Sequence, residues 1–104
     1  MAEIVVSSAD ELPPGTMKLV EHGQLRVGVY NCAGAFHAIE DRCTHDDGPL
    51  CLGLWDTETC TIACPRHGAS FDLKTGRALS LPAYLPARTF PVRLADGVVT
   101  VEVD

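Results

Sequence analysis

Residues 41–81 read DRCTHDDGPLCLGLWDTETCTIACPRHGASFDLKTGRALSL, and the fold turns on how this stretch is understood. It is rich in Gly and Cys and shows strand-like periodicity only around 59–63. A long irregular segment inside a compact chain is usually functional. Two short pairs stand within it, Cys43-Thr44-His45 and Cys64-Pro65-Arg66-His67, separated by residues 46–63. Each pair offers one thiolate and one imidazole.

Outside this segment the pattern is simpler. Apolar residues come in short β-branched runs punctuated by Gly, Pro, Asn and Asp, which favours many short strands over helices. Strands are expected at 3–7, 17–21, 24–30, 35–40, 59–63, 89–93 and 98–103, so the chain reads as all-β. Leu12-Pro13-Pro14-Gly15 and His22-Gly23 carry turn chemistry. Asn31-Cys32-Ala33-Gly34 and Ala95-Asp96-Gly97 read as hairpin links. One helical turn is expected, at 8–11, with Ser8 as its cap.

The 104 residues suffice for one domain, 1–104, with 41–81 as an inserted part of it. No stretch approaches the roughly 20 apolar residues of a membrane helix. The N-terminus, Met1-Ala2-Glu3-Ile4-Val5-Val6, has none of the features of a signal peptide, so a cytoplasmic location is expected. A formal net charge of −6 from 8 basic and 14 acidic residues argues against nucleic acid and anionic lipid as partners.

Five cysteines in a reducing compartment read first as metal ligands or buried apolar residues, and only then as disulfides. Thiolate with imidazole suits zinc, copper or an iron–sulfur centre, not calcium or magnesium. A structural zinc site of two Cys and two His groups like with like, C-x2-C then H-x3-H. Here each loop gives one of each. That order suits a two-iron cluster in which two Cys hold one iron and two His the other.

C-x-H followed by C-x2-H and Gly68, with Phe71-Asp72 and Leu81-Pro82-Ala83 downstream, resembles the cluster loops of the Rieske family over about residues 36–103. The resemblance implies stacked antiparallel sheets with a cluster-binding part inserted as two loops. Cys43, His45, Cys64 and His67 would be the ligands of one 2Fe-2S cluster, and Pro82 would lie in a loop shielding it. The two imidazoles would form the electron exit at the tip.

The departures from the family are informative. Its high-potential members carry an extra disulfide-forming Cys in each loop, at positions that fall near Gly48 and at Arg66 here. They also place Ser and Tyr, both donors to cluster sulfur, where this chain has Ala69 and Phe71. Such donors stabilise the reduced state, so their loss predicts a potential near the bottom of the ~−150 to +300 mV Rieske range. Ser70 is adjacent to the missing Ser, but neighbouring side chains in extended backbone point oppositely. This pattern resembles the ferredoxins of bacterial ring-hydroxylating dioxygenases.

That resemblance implies a carrier, not an enzyme, docking transiently with an NAD(P)H-dependent flavin reductase and a terminal oxygenase, and monomeric. The chain holds neither a Gly-x-Gly-x-x-Gly fingerprint nor a second, two-His one-carboxylate iron site. A regulatory or accessory Rieske module, linked to iron–sulfur assembly or a nitrite-reductase-like complex, is the second class. A zinc-stabilised interaction domain is the third.

The remaining signals have plainer readings. Cys32, Cys51 and Cys60 are expected as small apolar fillers, with a Cys51–Cys60 disulfide as the minor alternative. His22 and His37 are assigned surface or strand roles. Trp55 is expected to pack the loop between the ligands, in preference to shielding the cluster. Gly68 is expected either to adopt positive φ or to allow close approach, and Pro65 to stiffen the second loop. Glu40, Asp41, Asp46 and Asp47 could steer a basic partner to the first loop.

Overall fold

The computed structural model describes residues 2–44, 48–66 and 68–103. Among the described residues ten strands run in chain order: β1 (Ala2–Ser8), β2 (Met17–His22), β3 (Leu25–Cys32), β4 (Ala35–Glu40), β5 (Trp55–Asp56), β6 (Thr61–Ala63), β7 (Ser70–Asp72), β8 (Thr89–Phe90), β9 (Val92–Ala95) and β10 (Val98–Val103). They form three antiparallel sheets, ordered β1-β10-β9, β2-β3-β4-β8 and β5-β6-β7. Helical structure among the described residues is limited to 3-10 turns at Ala9–Glu11 and Leu50–Leu52. The all-β architecture of stacked antiparallel sheets matches the expectation.

Turn chemistry sets the hairpins. Ala33-Gly34 links β3 to β4 with φ of 54° and 102°, and Asp96-Gly97 links β9 to β10 with φ of 53° and 74°. Positive φ at both central residues is the signature of the type I′ turn, whose twist matches that of the flanking strands. At the expected helical turn, Ser8 donates to the Glu11 carboxylate from both its backbone N–H, at 3.4 Å, and its hydroxyl, at 3.0 Å.

The expected strand at 89–93 is broken. Pro91 has no N–H to give a ladder, so Thr89–Phe90 pairs with β4 in the second sheet and Val92–Ala95 pairs with β10 in the first. Two strands escaped the sequence reading, Trp55–Asp56 and Ser70–Asp72. They are too short to show alternation, and they form by pairing on either side of β6.

β3 joins two cores. Val27 and Val29, fully buried, pack with Val6, Leu12, Ala38, Phe90, Val99, Val101 and Val103 between the first two sheets. Tyr30 lies in the other core with Ile39, Leu50, Ile62, Phe71 and Leu73, between the second sheet and residues 43–73. Each large apolar side chain buried there contributes about 1.5–3 kcal/mol.

Candidate metal centre

Cys43 and Cys64 open loops of the same construction. The Cys43 N–H donates to the Gly48 carbonyl at 2.7 Å, and the Cys64 N–H donates to the Ala69 carbonyl at 2.7 Å. Each cysteine thus closes a turn onto the fifth residue after it. Neither cysteine is in a disulfide, their exposures are 0% and 3%, and both belong to the same buried core. The elements explain the placement: Cys43 follows the end of β4, whereas Cys64 directly follows β6 at the mouth of the β6–β7 hairpin, where Ala63 pairs with Ser70.

Within the second loop Gly68 has φ 73°, and a Cβ there would meet nothing within 4 Å. This is the positive φ that was one of the two expected roles. The Gly68 N–H also donates to the Cys64 carbonyl, at 3.0 Å. His45 and His67, the expected imidazole ligands, lie outside the described residues, as do Asp46 and Asp47.

Ala69 and Phe71 are fully buried and Ser70 is not, the alternation continuing through Asp72 and Leu73. Ser70 therefore faces away from the side that Ala69 and Phe71 share, as expected. Its N–H accepts no substitute role either, donating to the Ser80 hydroxyl at 2.9 Å.

A third loop completes the tip. The Thr44 hydroxyl, one residue beyond Cys43, donates to the Leu85 carbonyl at 2.7 Å. This holds the segment containing the cis Leu81–Pro82 bond against the loop that Cys43 opens, with Ala83 buried in the shared core. Leu81, Tyr84 and Leu85 are left exposed at 79%, 78% and 55%. Leu54, at 88%, borders a shallow groove with Gly53, Ala63, Cys64, Pro65 and Gly68. Large apolar side chains are thus exposed beside both cysteine-bearing loops.

Three sequence expectations require correction. Cys32 and Cys60 are not fillers: they form a disulfide, with Cα atoms 5.5 Å apart. This also removes the Cys51–Cys60 alternative, and Cys51 is a free thiol. The partner of Cys60 was invisible because it lies across the fold, where Thr57 Oγ1 accepts the Ala33 N–H at 3.0 Å and brings the 57–60 turn onto the β3–β4 hairpin. Asp41 is not a steering charge on the surface, since its side chain is fully buried. Trp55 does pack as expected, its ring edge-on to Tyr30 with centroids 5.0 Å apart.

The donor chemistry fits an iron–sulfur cluster: two buried thiols that are in no disulfide are presented from matched turns, with a histidine following each in sequence. Comparison with known proteins agrees. A family model described as the Rieske [2Fe-2S] domain matches residues 2–91. The chain is 37% identical over 103 residues to the 3-phenylpropionate/cinnamic acid dioxygenase ferredoxin subunit of Photorhabdus laumondii, spanning 99% of this chain and 96% of that protein. Among solved structures it is similar to the ferredoxin of carbazole 1,9a-dioxygenase from Nocardioides aromaticivorans, with TM-score 0.89, 29% identity and 97% coverage of both chains. It is equally close, at TM-score 0.89 and 35% identity over 95% of this chain and 91% of that one, to a chain in a complex of reduced oxygenase and oxidized ferredoxin in carbazole 1,9a-dioxygenase. The chain belongs to the Rieske [2Fe-2S] domain family.

Proposed function

We propose that this chain is the ferredoxin component of a multicomponent dioxygenase system, carrying single electrons from an NAD(P)H-dependent reductase to a terminal oxygenase in the cytoplasm. It would do so as one domain and as a monomer, with residues 41–81 forming the cluster-binding part. Cys43, His45, Cys64 and His67 hold one 2Fe-2S cluster, which when bound accepts and releases one electron.

The observation that carries this reading is the matched pair of turns that bury the Cys43 and Cys64 thiols in one core. The protein's own work is to hold these ligands without rearrangement, to keep water from the sulfur side with Ala69 and Phe71, and to present an apolar rim to its partners. Leu54, Leu81, Tyr84 and Leu85 supply that rim. Docking thus rests on apolar contact at the tip and not on a buried acidic group such as Asp41.

Electron paramagnetic resonance of the dithionite-reduced protein tests the assignment, with the potential taken from the same titration. A Rieske signal with a potential near ~−150 mV is expected. Cys64→Ser should lose the cluster, and His67→Cys should keep iron while moving the spectrum toward an all-cysteine cluster. A colourless protein with stoichiometric zinc would sink the reading.

A further inference from the structure

Two buried polar atoms among the described residues have no hydrogen-bond partner, the Tyr30 hydroxyl and Asp41 Oδ2. They belong to one place. In the β3–β4 ladder Tyr30 pairs with His37 and Gly28 with Ile39, and the register continues to the Asp41 N–H, which donates to the Arg26 carbonyl at 2.8 Å. Arg26, Gly28 and Tyr30 therefore share a face of β3. The Tyr30 ring folds back across Gly28, where a Cβ would stand 2.7 Å from a ring carbon and 3.1 Å from the hydroxyl. Only glycine leaves room for that ring, and the hydroxyl is thereby turned toward the Asp41 end of the ladder.

Asp41 stands where the first ligand loop leaves the sheet. Its Oδ1 accepts the Cys51 N–H at 2.6 Å, so the carboxylate, two residues before Cys43, is tied to the far end of the same loop. Oδ2 lies 3.8 Å from an Arg26 guanidinium nitrogen, within ion-pair reach but beyond a hydrogen bond. The Asp41 side chain is fully buried, whereas that of Arg26 is 48% exposed and partly screened by solvent. Burial and then the Asp41 carboxylate push the Tyr30 hydroxyl well above its ordinary value, keeping it a neutral donor. Burial and then Asp41 likewise push the Cys51 thiol up.

We propose that Asp41 is a positioning residue for the first ligand loop, clasping its two ends, and that its incompletely compensated buried negative charge is a built-in depressor of the cluster's reduction potential. Reduction adds negative charge to the centre, and a fixed anion in a weakly screening core opposes it. This tuning comes from a charge beneath the loop and is separate from the missing donors at Ala69 and Phe71. The inference rests on Cys43 being a cluster ligand.

The test is a redox titration of Asp41→Asn, which retains an oxygen to accept the Cys51 N–H but removes the charge. The expected result is a normal Rieske spectrum with the potential raised, the reduced-to-oxidised ratio at fixed ambient potential increasing about tenfold, or ~59 mV for one electron. An unmoved potential in a protein with full cluster content would overturn the proposal. If Asp41→Asn does not load, the same titration of Arg26→Gln decides: removing the partial counter-charge should lower the potential, and no change would overturn the idea. Failure of the ligand reading is distinct, because it would appear in the spectrum of the unaltered protein.

Discussion

Cys32, the last residue of β3, is bonded to Cys60, the residue just before β6, across 28 positions of sequence. One cysteine belongs to the second sheet and the other introduces the third, so the bond fastens the element carrying Cys64 to the hairpin beneath it. Cys60 also has φ 55°, a left-handed conformation uncommon for a residue with a side chain, and its carbonyl accepts the Leu73 N–H at 2.9 Å. Closing a loop of this length restricts the unfolded chain by about 3.5 kcal/mol. Cys32→Ala/Cys60→Ala should therefore lower the unfolding free energy by about 3.5 kcal/mol in urea titrations. Loss below about 1 kcal/mol would mean that packing alone holds the two sheets together.

Restoring the missing donors should raise the potential. Ala69 and Phe71 are fully buried, so a hydroxyl introduced at either by Ala69→Ser or Phe71→Tyr enters a dry environment in which a hydrogen bond to sulfur counts strongly. Each substitution is expected to shift the midpoint upward, and the pair further than either alone. A potential indifferent to both would show that these positions do not face the cluster sulfurs.

Partner transfer should depend on the apolar rim. Leu81→Asp or Leu54→Asp removes an exposed hydrophobic contact and adds charge without touching the buried core. The second-order rate of electron transfer to the terminal oxygenase is expected to fall about tenfold, the equivalent of ~1.4 kcal/mol of docking energy, with the potential unchanged. Stopped-flow oxidation of the reduced ferredoxin by its oxygenase measures this directly. An unaltered rate in both variants would place the interface elsewhere.

His37 should give the protein an acid-sensitive component. Burial first, and the Lys74 ammonium second, hold its imidazole below the ordinary value of 6.5, with Asp72 opposing. The unfolded chain thus binds a proton at this residue at higher pH than the folded chain does. Stability fully present above pH 6.5 is then lost as the pH falls toward the depressed folded value. His37→Gln should flatten that part of the profile, seen as a smaller drop in the urea midpoint between about pH 7.5 and about pH 5.5. Identical slopes for both proteins would remove His37 from the account.

Much of the basal structure was legible because its signals are local. Ala33-Gly34 and Asp96-Gly97 announce their turns, and the strands they join alternate clearly. The two Cys/His pairs could be singled out as candidate ligands because C-x-H and C-x2-H constrain chemistry as well as spacing. What escaped depends on contacts distant in sequence. Trp55–Asp56 and Ser70–Asp72 become strands only by pairing with β6. The acidic cluster at 40–47 looked uniform, yet Asp41 is drawn inward by the Cys51 N–H, a partner that no local pattern reveals. Cys32 and Cys60 looked like fillers because composition reports the abundance of a residue and not which of its kind it meets.

The two-sided burial of β3 bears on how the molecule comes apart. Val27 and Val29 lock into one core while Tyr30 locks into the other, so neither core can melt without stripping one face of the same strand. Partial opening that frees the ligand loops but leaves the basal sheets intact would expose the Tyr30 ring and break its contact with Trp55. The amides at the centre of β3 should accordingly exchange hydrogen only through global unfolding, which makes this strand the slowest-exchanging segment of the chain.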